Sequence, residues 1–280
     1  MWFEMSAVRY MLDCEHPQLD TVGEDERRYI LGELSGHNVA IAWLSGAQGA
    51  SSAAAVATNM GRTFPCIKWR FLVGTAGGVP SETHDIRLGD VVISMPEGQF
   101  GGVVQFDLGR DTEDGCFRKG FLSPPPLALR LAAGVMRSDH LIKDNQVDSF
   151  VRPNPTCSNC DKQRTVARLP RGSDGSKIHY GLVASGGKVM KSATKRIRAT
   201  EELGDILCFD MEAASIATEF SCMVIRGISN YADSHKHNTW KGYAAAAAAA
   251  TVRELLSYVQ PAEPFADRIR RDSTGWTINS

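Results

Sequence analysis

Short apolar runs alternate along the chain with stretches in which apolar residues recur at helical spacing. The apolar runs predict strands at residues 38–44, 69–74, 90–95, 180–184, 206–209 and 223–228. The helical spacing predicts helices at residues 51–64, 212–220 and 239–259. Continuous apolar strands that alternate with helices are typical of a parallel sheet covered on both faces. The pattern therefore predicts a single α/β domain with a twisted, mostly parallel central sheet flanked by helices.

The last predicted helix holds seven consecutive alanines, from Ala244 to Ala250. Alanine is the best helix former, and its small side chain lets a helix lie close to a sheet. We therefore interpret the alanine run as a packed helix and not as a low-complexity segment.

The regular pattern stops between Arg137 and Asp174, where Pro, Asn, Asp, Lys and Arg dominate. This composition predicts an irregular insertion, residues 137–174, within a domain that spans residues 1–260. Residues 261–280 contain two prolines and a basic run with little periodicity, which predicts a loosely ordered tail.

The charged residues nearly balance, since 31 Lys and Arg face 32 Asp and Glu among 280 residues and the formal charge is −1. This balance argues against binding to nucleic acid or to an anionic membrane, and it favours a small-molecule partner. No apolar run reaches the roughly 18 residues that a membrane-spanning helix needs. Glu4 and Arg9 stand where a signal peptide would need an apolar block, so we expect a cytoplasmic protein.

The seven cysteines are scattered, and several lie in apolar runs where a thiol behaves as a small buried hydrophobe. Cys157 and Cys160 have the Cys-x-x-Cys spacing of half a zinc site. A structural zinc needs four ligands, and the sequence has neither a second such pair nor a paired-histidine motif. We therefore predict no metal.

Two glycine-rich turns follow predicted strands. Residues 45–52 lead from a strand into a helix, where backbone N–H groups can face an anion or simply form a tight connection. Residues 73–80 contain consecutive glycines that let a ligand approach the backbone, and Thr75 adds a hydroxyl. We interpret Asp85, Arg87 and Asp90, which come next, as the solvated start of a strand.

Charged residues also lie within or just after two buried strands. Asp210 and Glu212 are placed at the carboxyl edge of the sheet, where open α/β folds bind ligands. A carboxylate there can accept hydrogen bonds from the vicinal hydroxyls of a sugar, or it can stabilise the start of the helix. Arg226 lies inside a buried strand, so it needs an anion, which is either a protein carboxylate or a substrate phosphate.

Three motifs occur in order: Gly74-Thr-Ala-Gly-Gly, Phe209-Asp-Met-Glu-Ala and Ile225-Arg-Gly-Ile-Ser-Asn. In these motifs the sequence resembles the nucleoside phosphorylase and nucleosidase superfamily, and most of all its fungal branch. The similarity runs from about Ser6 to Val259 and includes Gly101-Gly-Val-Val-Gln-Phe-Asp. The resemblance implies an enzyme that cleaves the N-glycosidic bond of a purine nucleoside with phosphate or water.

The resemblance also implies roles for single residues. Glu212 takes the ribose hydroxyls, Met211 covers the sugar face, and Thr75 with Arg226 holds phosphate or the attacking water. The remaining contacts to the base and ribose fall to Gly77, Gly78, Val189, Met190, Ser229 and Asn230. The resemblance implies no cofactor, although inorganic phosphate is the co-substrate in a phosphorolysis, and it favours a homo-oligomer.

Two features depart from the family pattern. The residue that protonates the purine is commonly Asp, whereas this chain has Asn230. An amide cannot donate a proton to the base, but its N–H₂ group can bind purine N7, which predicts a preference for 6-oxopurines. Glu4 matches a catalytic acid that usually follows the first strand, yet Met1, Trp2 and Phe3 alone precede it in this sequence. We therefore expect that strand to be largely absent and Glu4 to lie on a fraying terminus.

These departures leave two alternatives to a nucleoside-cleaving enzyme. One is a pseudoenzyme or ligand-binding domain, which would bind a nucleoside without turning it over. The other is the same fold used for another reaction on a non-nucleoside metabolite, since fold does not dictate chemistry. An assay for release of free base distinguishes the three.

Overall fold

A computed structural model of the chain describes residues 2–18, 28–44, 46, 49–112, 115–118, 120–142, 171, 175–236 and 238–261. The described residues form eleven strands: β1 (Cys14–Glu15), β2 (Ile30–Leu34), β3 (His37–Ile41), β4 (Phe71–Gly78), β5 (Val91–Ser94), β6 (Val103–Gln105), β7 (Gly109–Thr112), β8 (Gly115–Arg118), β9 (Ile178–Ser185), β10 (Ile206–Asp210) and β11 (Met223–Asn230). They also form six helices: α1 (Trp2–Tyr10), α2 (Ala50–Thr63), α3 (Leu127–Ile142), α4 (Ala193–Leu203), α5 (Ala213–Glu219) and α6 (Lys241–Ser257).

The central sheet has six strands in the order β10-β4-β11-β5-β9-β6. Strand β10 pairs with β9 as well as with β4, so five of the strands close into a ring. The pairings β4–β11, β5–β9, β6–β9 and β9–β10 are parallel, whereas β4–β10 and β5–β11 are antiparallel. The sheet is therefore partly closed and mixed, with parallel pairings in the majority.

Each of the six predicted strands has a counterpart in this sheet or in β3, with ends that shift by a few residues. The three predicted helices correspond to α2, α5 and α6. The single α/β domain with a central sheet, predicted from the apolar pattern, is thus confirmed. Among the described helices, none combines the length and the hydropathy that would let it span a bilayer.

Helix α3 is the longest element that the apolar pattern missed. It carries apolar residues around most of its circumference, with Leu129 and Met136 buried and Leu131, Val135 and Leu141 exposed. Such a helix lacks the polar face that marks a surface helix in a sequence. It continues to Ile142, so the insertion predicted from residue 137 begins with helix. Most of that insertion, the Cys157 and Cys160 pair, and the tail beyond residue 261 lie outside the described residues.

Helix α6, which contains the alanine run, packs directly on β11, as the small side chains predicted. All but one of the seven alanines are buried. The close approach needs a glycine on the strand as well, because a Cβ on Gly227 would lie 1.8 Å from the carbonyl oxygen of Ala244. Helix and sheet therefore meet through matched small residues, which brings the ends of β4 and β11 under the first turn of α6.

The amino terminus is helical and is held in place, contrary to the expectation that Glu4 lies on a fraying end. Helix α1 packs along α6, and Ala7 and Val8 contact the same core cluster as Leu255. The side chain of Glu4 reaches the end of β4, where it accepts hydrogen bonds from Thr75. Helix α1 begins at Trp2, so Glu4 lies in its first turn.

Candidate functional site

The site lies where the carboxyl ends of β4, β10 and β11 meet, beside the first turns of α1 and α5. A cavity of about 1220 Å³ opens there. Ten of the predicted site residues line it: Glu4, Thr75, Gly77, Val189, Met190, Met211, Glu212, Arg226, Ser229 and Asn230. The ring closure of the sheet explains the convergence, because it brings strands far apart in sequence to a common edge.

Gly78 is the predicted site residue that does not line the cavity. It pairs with Cys208 of β10, and a Cβ at this position would lie 2.7 Å from a side-chain carbon of Ile228 and 2.9 Å from one of Ile86. Gly78 therefore serves the close packing beneath the site, while Gly77 faces the cavity.

Arg226 is the electrostatic centre of the site. Its Nη2 group donates hydrogen bonds to Asp210 and to Oε2 of Glu212, the second at 3.4 Å. Burial opposes the charge on the guanidinium, but Asp210, Glu212 and Glu4 outweigh burial and raise the pKa of Arg226. The anion that a buried arginine requires is thus supplied by protein carboxylates.

Glu4 and Thr75 form a second polar group beside Arg226. Oε1 of Glu4 accepts a hydrogen bond from the backbone N–H of Thr75 at 2.9 Å and one from its hydroxyl at 3.1 Å. Gly74 makes room for this arrangement, because a Cβ there would lie 2.4 Å from Nη1 of Arg226 and 2.9 Å from Oε1 of Glu4. The guanidinium and the Glu4 carboxylate therefore approach each other over Gly74, where the backbone carries no side chain.

Glu212 lies at the cavity, just before α5 begins. Burial raises the pKa of its carboxyl group, Asp210 and Glu4 raise it further, and the positive charge of Arg226 acts in the opposite direction. Asp210 instead accepts a hydrogen bond from the N–H of Ala213 at 3.1 Å, so it caps the helix that follows. Both acids of this short motif line the cavity, but Asp210 also caps a helix.

Asn230 has a fixed orientation at the end of β11. Its Oδ1 accepts a hydrogen bond from the N–H of Ala232 at 3.0 Å, and its Nδ2 donates one to the hydroxyl of Ser229 at 3.1 Å. An amide nitrogen carries two hydrogens, so a second N–H remains for a ligand. Gly77 leaves space beside this side chain, since a Cβ there would lie 2.8 Å from Oδ1.

The cavity has a second, apolar part that runs along β4 away from these polar residues. It is lined there by side chains of β3, α2 and β4, among them Val39, Ile41, Val56, Met60 and Phe71. Strand β3 is the outer strand of the small sheet β1-β2-β3. The apolar part therefore lies between two sheets, with α2 beside it.

Asp210, Lys236 and Lys241 also line the cavity but were not chosen as site residues from the sequence. Asp210 was recognised as a carboxylate at the sheet edge, and a carboxylate that ends a fully buried strand is the signal that could have assigned it to Arg226. The two lysines lie in a loop and at a helix start, where the sequence pattern carries no comparable signal.

One group of described residues outside this polar centre has metal-ligand chemistry. Cys14, His16 and Glu33, on β1 and β2 and the residue after β1, place one ligand atom each within 4.8 Å of one another. Both Cys14 and His16 are exposed. The group belongs to the small sheet. The hydrogen bonds that Arg226 donates go to Asp210 and Glu212 and not to this group.

Comparison with known proteins agrees with this architecture. Residues 5–260 match the model of the phosphorylase superfamily, which is most of the chain. The chain belongs to the phosphorylase superfamily. One curated relative is a nucleotide-binding leucine-rich repeat (NLR)-like protein of Hyaloscypha variabilis, which is 36% identical over 302 residues. That match covers 99% of this chain and 30% of the relative, so the chain spans less than a third of that protein's length.

Solved structures of similar fold come from bacterial nucleosidases. A 5′-methylthioadenosine/S-adenosylhomocysteine nucleosidase of Neisseria meningitidis superposes with a TM-score of 0.65 at 20% identity, covering 92% of this chain and 96% of that one. Futalosine hydrolase of Helicobacter pylori gives 0.64 at 16% identity, with 92% and 95% covered. These structural similarities confirm the predicted fold, and the superfamily match over residues 5–260 confirms the family predicted from the motifs. Membership in the superfamily supports the prediction of a glycosyl-cleaving enzyme.

Proposed function

We propose that this chain hydrolyses the N-glycosidic bond of a purine nucleoside-type substrate, with water and not phosphate as the nucleophile. The superfamily and the nucleosidases of similar fold support glycosidic cleavage. We choose water because Asp210 and Glu212 already form hydrogen bonds with the guanidinium of Arg226 and compensate its positive charge.

The charges around Arg226 argue against a phosphate co-substrate. Asp210, Glu212 and Glu4 all act on the guanidinium, so three carboxyl groups share one positive charge at this point of the cavity. Such surroundings disfavour a phosphate dianion placed directly beside Arg226, whereas they favour the positive charge that develops on the ribosyl ring when the glycosidic bond breaks. The same electrostatics therefore disfavour phosphorolysis and favour a cationic transition state.

The residues divide the reaction between them. The carboxylate of Glu212 accepts hydrogen bonds from the ribose hydroxyls. Glu4, which is oriented by Thr75, takes a proton from the water that attacks C1′. The bond from C1′ to the base nitrogen breaks, and its electron pair leaves with the base, which gains a proton from solvent. The apolar surfaces come from Met211, Val189 and Met190. Positioning of this kind lowers the activation free energy by several kcal/mol, up to about 7–11 kcal/mol in model systems.

A phosphate-free assay tests this proposal. The purified chain is incubated with purine nucleosides and nucleotides in a buffer without inorganic phosphate, and free base is measured by chromatography. We expect release without inorganic phosphate and no acceleration when it is added. Release that depends on inorganic phosphate would show a phosphorylase and overturn the choice of water, while absence of release from every nucleoside and nucleotide would remove the proposed function.

We propose further that Asn230 selects 6-oxopurines, since its N–H can bind N7 but cannot protonate the base. An Asn230→Asp variant supplies an acid at this position, and general-acid help is typically worth about 10²- to 10⁴-fold. We expect the variant to gain activity on adenosine relative to inosine, measured as a ratio of kcat/KM values. An unchanged ratio would contradict the role of Asn230.

Exposed apolar residues on α3 support a homo-oligomer. Leu127, Leu131 and Val135 recur at intervals of one helical turn and are 60%, 62% and 54% exposed. A row of exposed leucine and valine side chains is typical of an interaction surface. We propose that α3 contacts a second copy of the chain, and light scattering of the parent and of a Leu131→Glu variant tests it. A parent that is monomeric would contradict this assembly.

The curated relative suggests a context for the reaction. Because this chain matches less than a third of an NLR-like protein, we propose that it works as the glycosidase unit of a longer protein in a cytoplasmic setting. Sequencing of full-length transcripts tests the proposal. A reading frame that joins these residues to nucleotide-binding or repeat regions is expected, and a frame confined to these 280 residues would contradict it.

A further inference from the structure

Three lysines from separate segments lie close enough together near Glu212 to act on one another, and two of them line the cavity. Lys236 lies in the loop after β11, Lys241 begins α6, and Lys191 follows β9. Lys236 and Lys241 line the cavity, and the ammonium group of Lys236 feels the charges of Lys241, Lys191 and Glu212. The acidic centre at Arg226 thus has a basic region next to it.

The basic region has little compensation from the protein. In the described part of the chain, none of the three lysines forms an ion pair. Glu212 is the carboxylate that acts on Lys236, and it already contacts Arg226. Burial and the two neighbouring ammonium groups lower the pKa of Lys236, which means that they disfavour its charged form. Like charges gathered beside a cavity are stabilised when a ligand brings an anion to them.

Lys236 and Lys241 line the same cavity as Glu212, which the proposed function places on the ribose hydroxyls. Glu212 also acts on the ammonium group of Lys236. A charged group carried by the ribose can therefore reach the lysines. An anion on the 5′ carbon suits this position, because that carbon is attached to C4′, the ring carbon next to the one that carries the 3′ hydroxyl.

We infer that the substrate is a purine nucleoside 5′-phosphate, with Lys236 and Lys241 binding the phosphate and Lys191 at its outer side. This inference rests on the proposed function for the placement of the ribose. The cavity volume of about 1220 Å³ exceeds the roughly 300–1,000 Å³ of an ordinary small-molecule site, so the added phosphate has room. The step remains the same hydrolysis, in which the phosphate is a handle and undergoes no change.

The test compares matched ligands with and without the phosphate. Adenosine, AMP, inosine and IMP are assayed for base release, and equilibrium binding of each is measured by calorimetry. A hydrogen bond to a charged group is worth about 1.5–3 kcal/mol, which corresponds to roughly 10- to 100-fold in binding. We expect the 5′-phosphates to bind at least about 10-fold more tightly than the nucleosides, and this preference to weaken as salt is raised.

Variants assign the effect to the lysines. Lys236→Met is expected to remove most of the phosphate preference while nucleoside binding is retained, and Lys236→Arg is expected to restore it. Lys195→Met is the control, because Lys195 is exposed on α4 and does not line the cavity. A preference that survives Lys236→Met would overturn the inference.

The outcomes separate this inference from the proposed function. Equal binding and equal cleavage of nucleosides and 5′-phosphates would overturn the inference and leave the hydrolase intact. Lysine-dependent binding of the 5′-phosphates without base release from any ligand would support the ligand class and remove the enzymatic proposal. Failure of all four ligands to bind would overturn the inference.

Discussion

Gly74 occupies the point on β4 over which Arg226 and Glu4 approach each other. A Gly74→Ala change puts a methyl group 2.4 Å from Nη1 of Arg226, so the guanidinium and the carboxylate must move apart. Misplacement of catalytic groups by about 1 Å can cost roughly 10²-fold, and we expect a loss of that order in kcat/KM. Gly61→Ala is the matched control, because a Cβ there would be in ordinary van der Waals contact, 3.7 Å from the ring of Phe220. Unchanged activity in a folded Gly74→Ala variant would refute the role of this gap.

The environment of Glu212 predicts the pH dependence of activity. Burial, Asp210 and Glu4 together raise the pKa of this carboxyl group. In the proposed reaction it is the carboxylate form that accepts hydrogen bonds from the ribose hydroxyls. As pH falls, Glu212 gains its proton earlier than an ordinary glutamate, whose pKa is about 4.3. We expect the acid limb of kcat/KM to lie above that value. A Glu212→Gln variant should have roughly 10- to 100-fold lower activity and should lose this limb; a limb that persists in it would assign the titration to another group.

At the scale of elements, the contact between α6 and β11 depends on Gly227. A Gly227→Ala change places a methyl group 1.8 Å from the carbonyl oxygen of Ala244, and the helix must shift away from the sheet. Overpacking of this kind typically costs about 1–3 kcal/mol. Chemical denaturation should show that loss, whereas Gly242→Ala in the same helix, with nothing within 4 Å of its Cβ, should be neutral or slightly stabilising. Equal stability of the two variants would contradict the packing argument.

Asp90 joins the start of β5 to β9 and to Arg171. Its buried carboxylate accepts hydrogen bonds from Arg171 at 2.6 and 2.8 Å and from Nε2 of His179 at 2.9 Å. The interpretation of Asp90 as part of a solvated strand start was therefore wrong. The error has a physical cause, since Arg171 and His179 are more than 80 residues away in sequence and no local pattern reveals them.

The network predicts how stability depends on pH. Burial opposes ionisation of Asp90, but Arg171 and His179 outweigh burial and hold its pKa below the ordinary value. Because the folded-state pKa is depressed, the stabilisation is present above the unfolded value of about 3.9 and is lost as pH falls through the folded value. We expect Asp90→Asn to cost about 3 kcal/mol near neutral pH, by denaturant unfolding, and to lose less stability on acidification. An Asp205→Asn variant, at an exposed carboxylate, should match the parent.

For the whole molecule, the sequence predicted the buried framework better than the charge pairing. Strands such as β5 and β11 were found because both faces are covered and their apolar runs are unbroken. Arg226 was found because a charge inside such a run is exceptional. Its partnership with Asp210 depends on the closure of the sheet through β10, which joins segments that no periodicity connects.

The loops and short elements show the same limit. Helix α1 has only nine residues, and its position is set by packing on α6 at the other end of the chain. The role proposed for Lys236 depends on its nearness to Lys241 and Lys191, which lie on different segments. Local pattern therefore fixes where the framework lies, whereas the charges that select a ligand arise from tertiary contacts.

The choice of water, proposed from the carboxylates around Arg226, has a consequence for the cell. A phosphorolytic enzyme returns a sugar phosphate and works in both directions, so it can salvage what it cleaves. In the proposed hydrolysis the products are a free base and the sugar that carried it, and in dilute solution they do not recombine. The proposed hydrolase would deplete its substrate and leave the replacement to other enzymes, at a rate that does not follow the supply of phosphate.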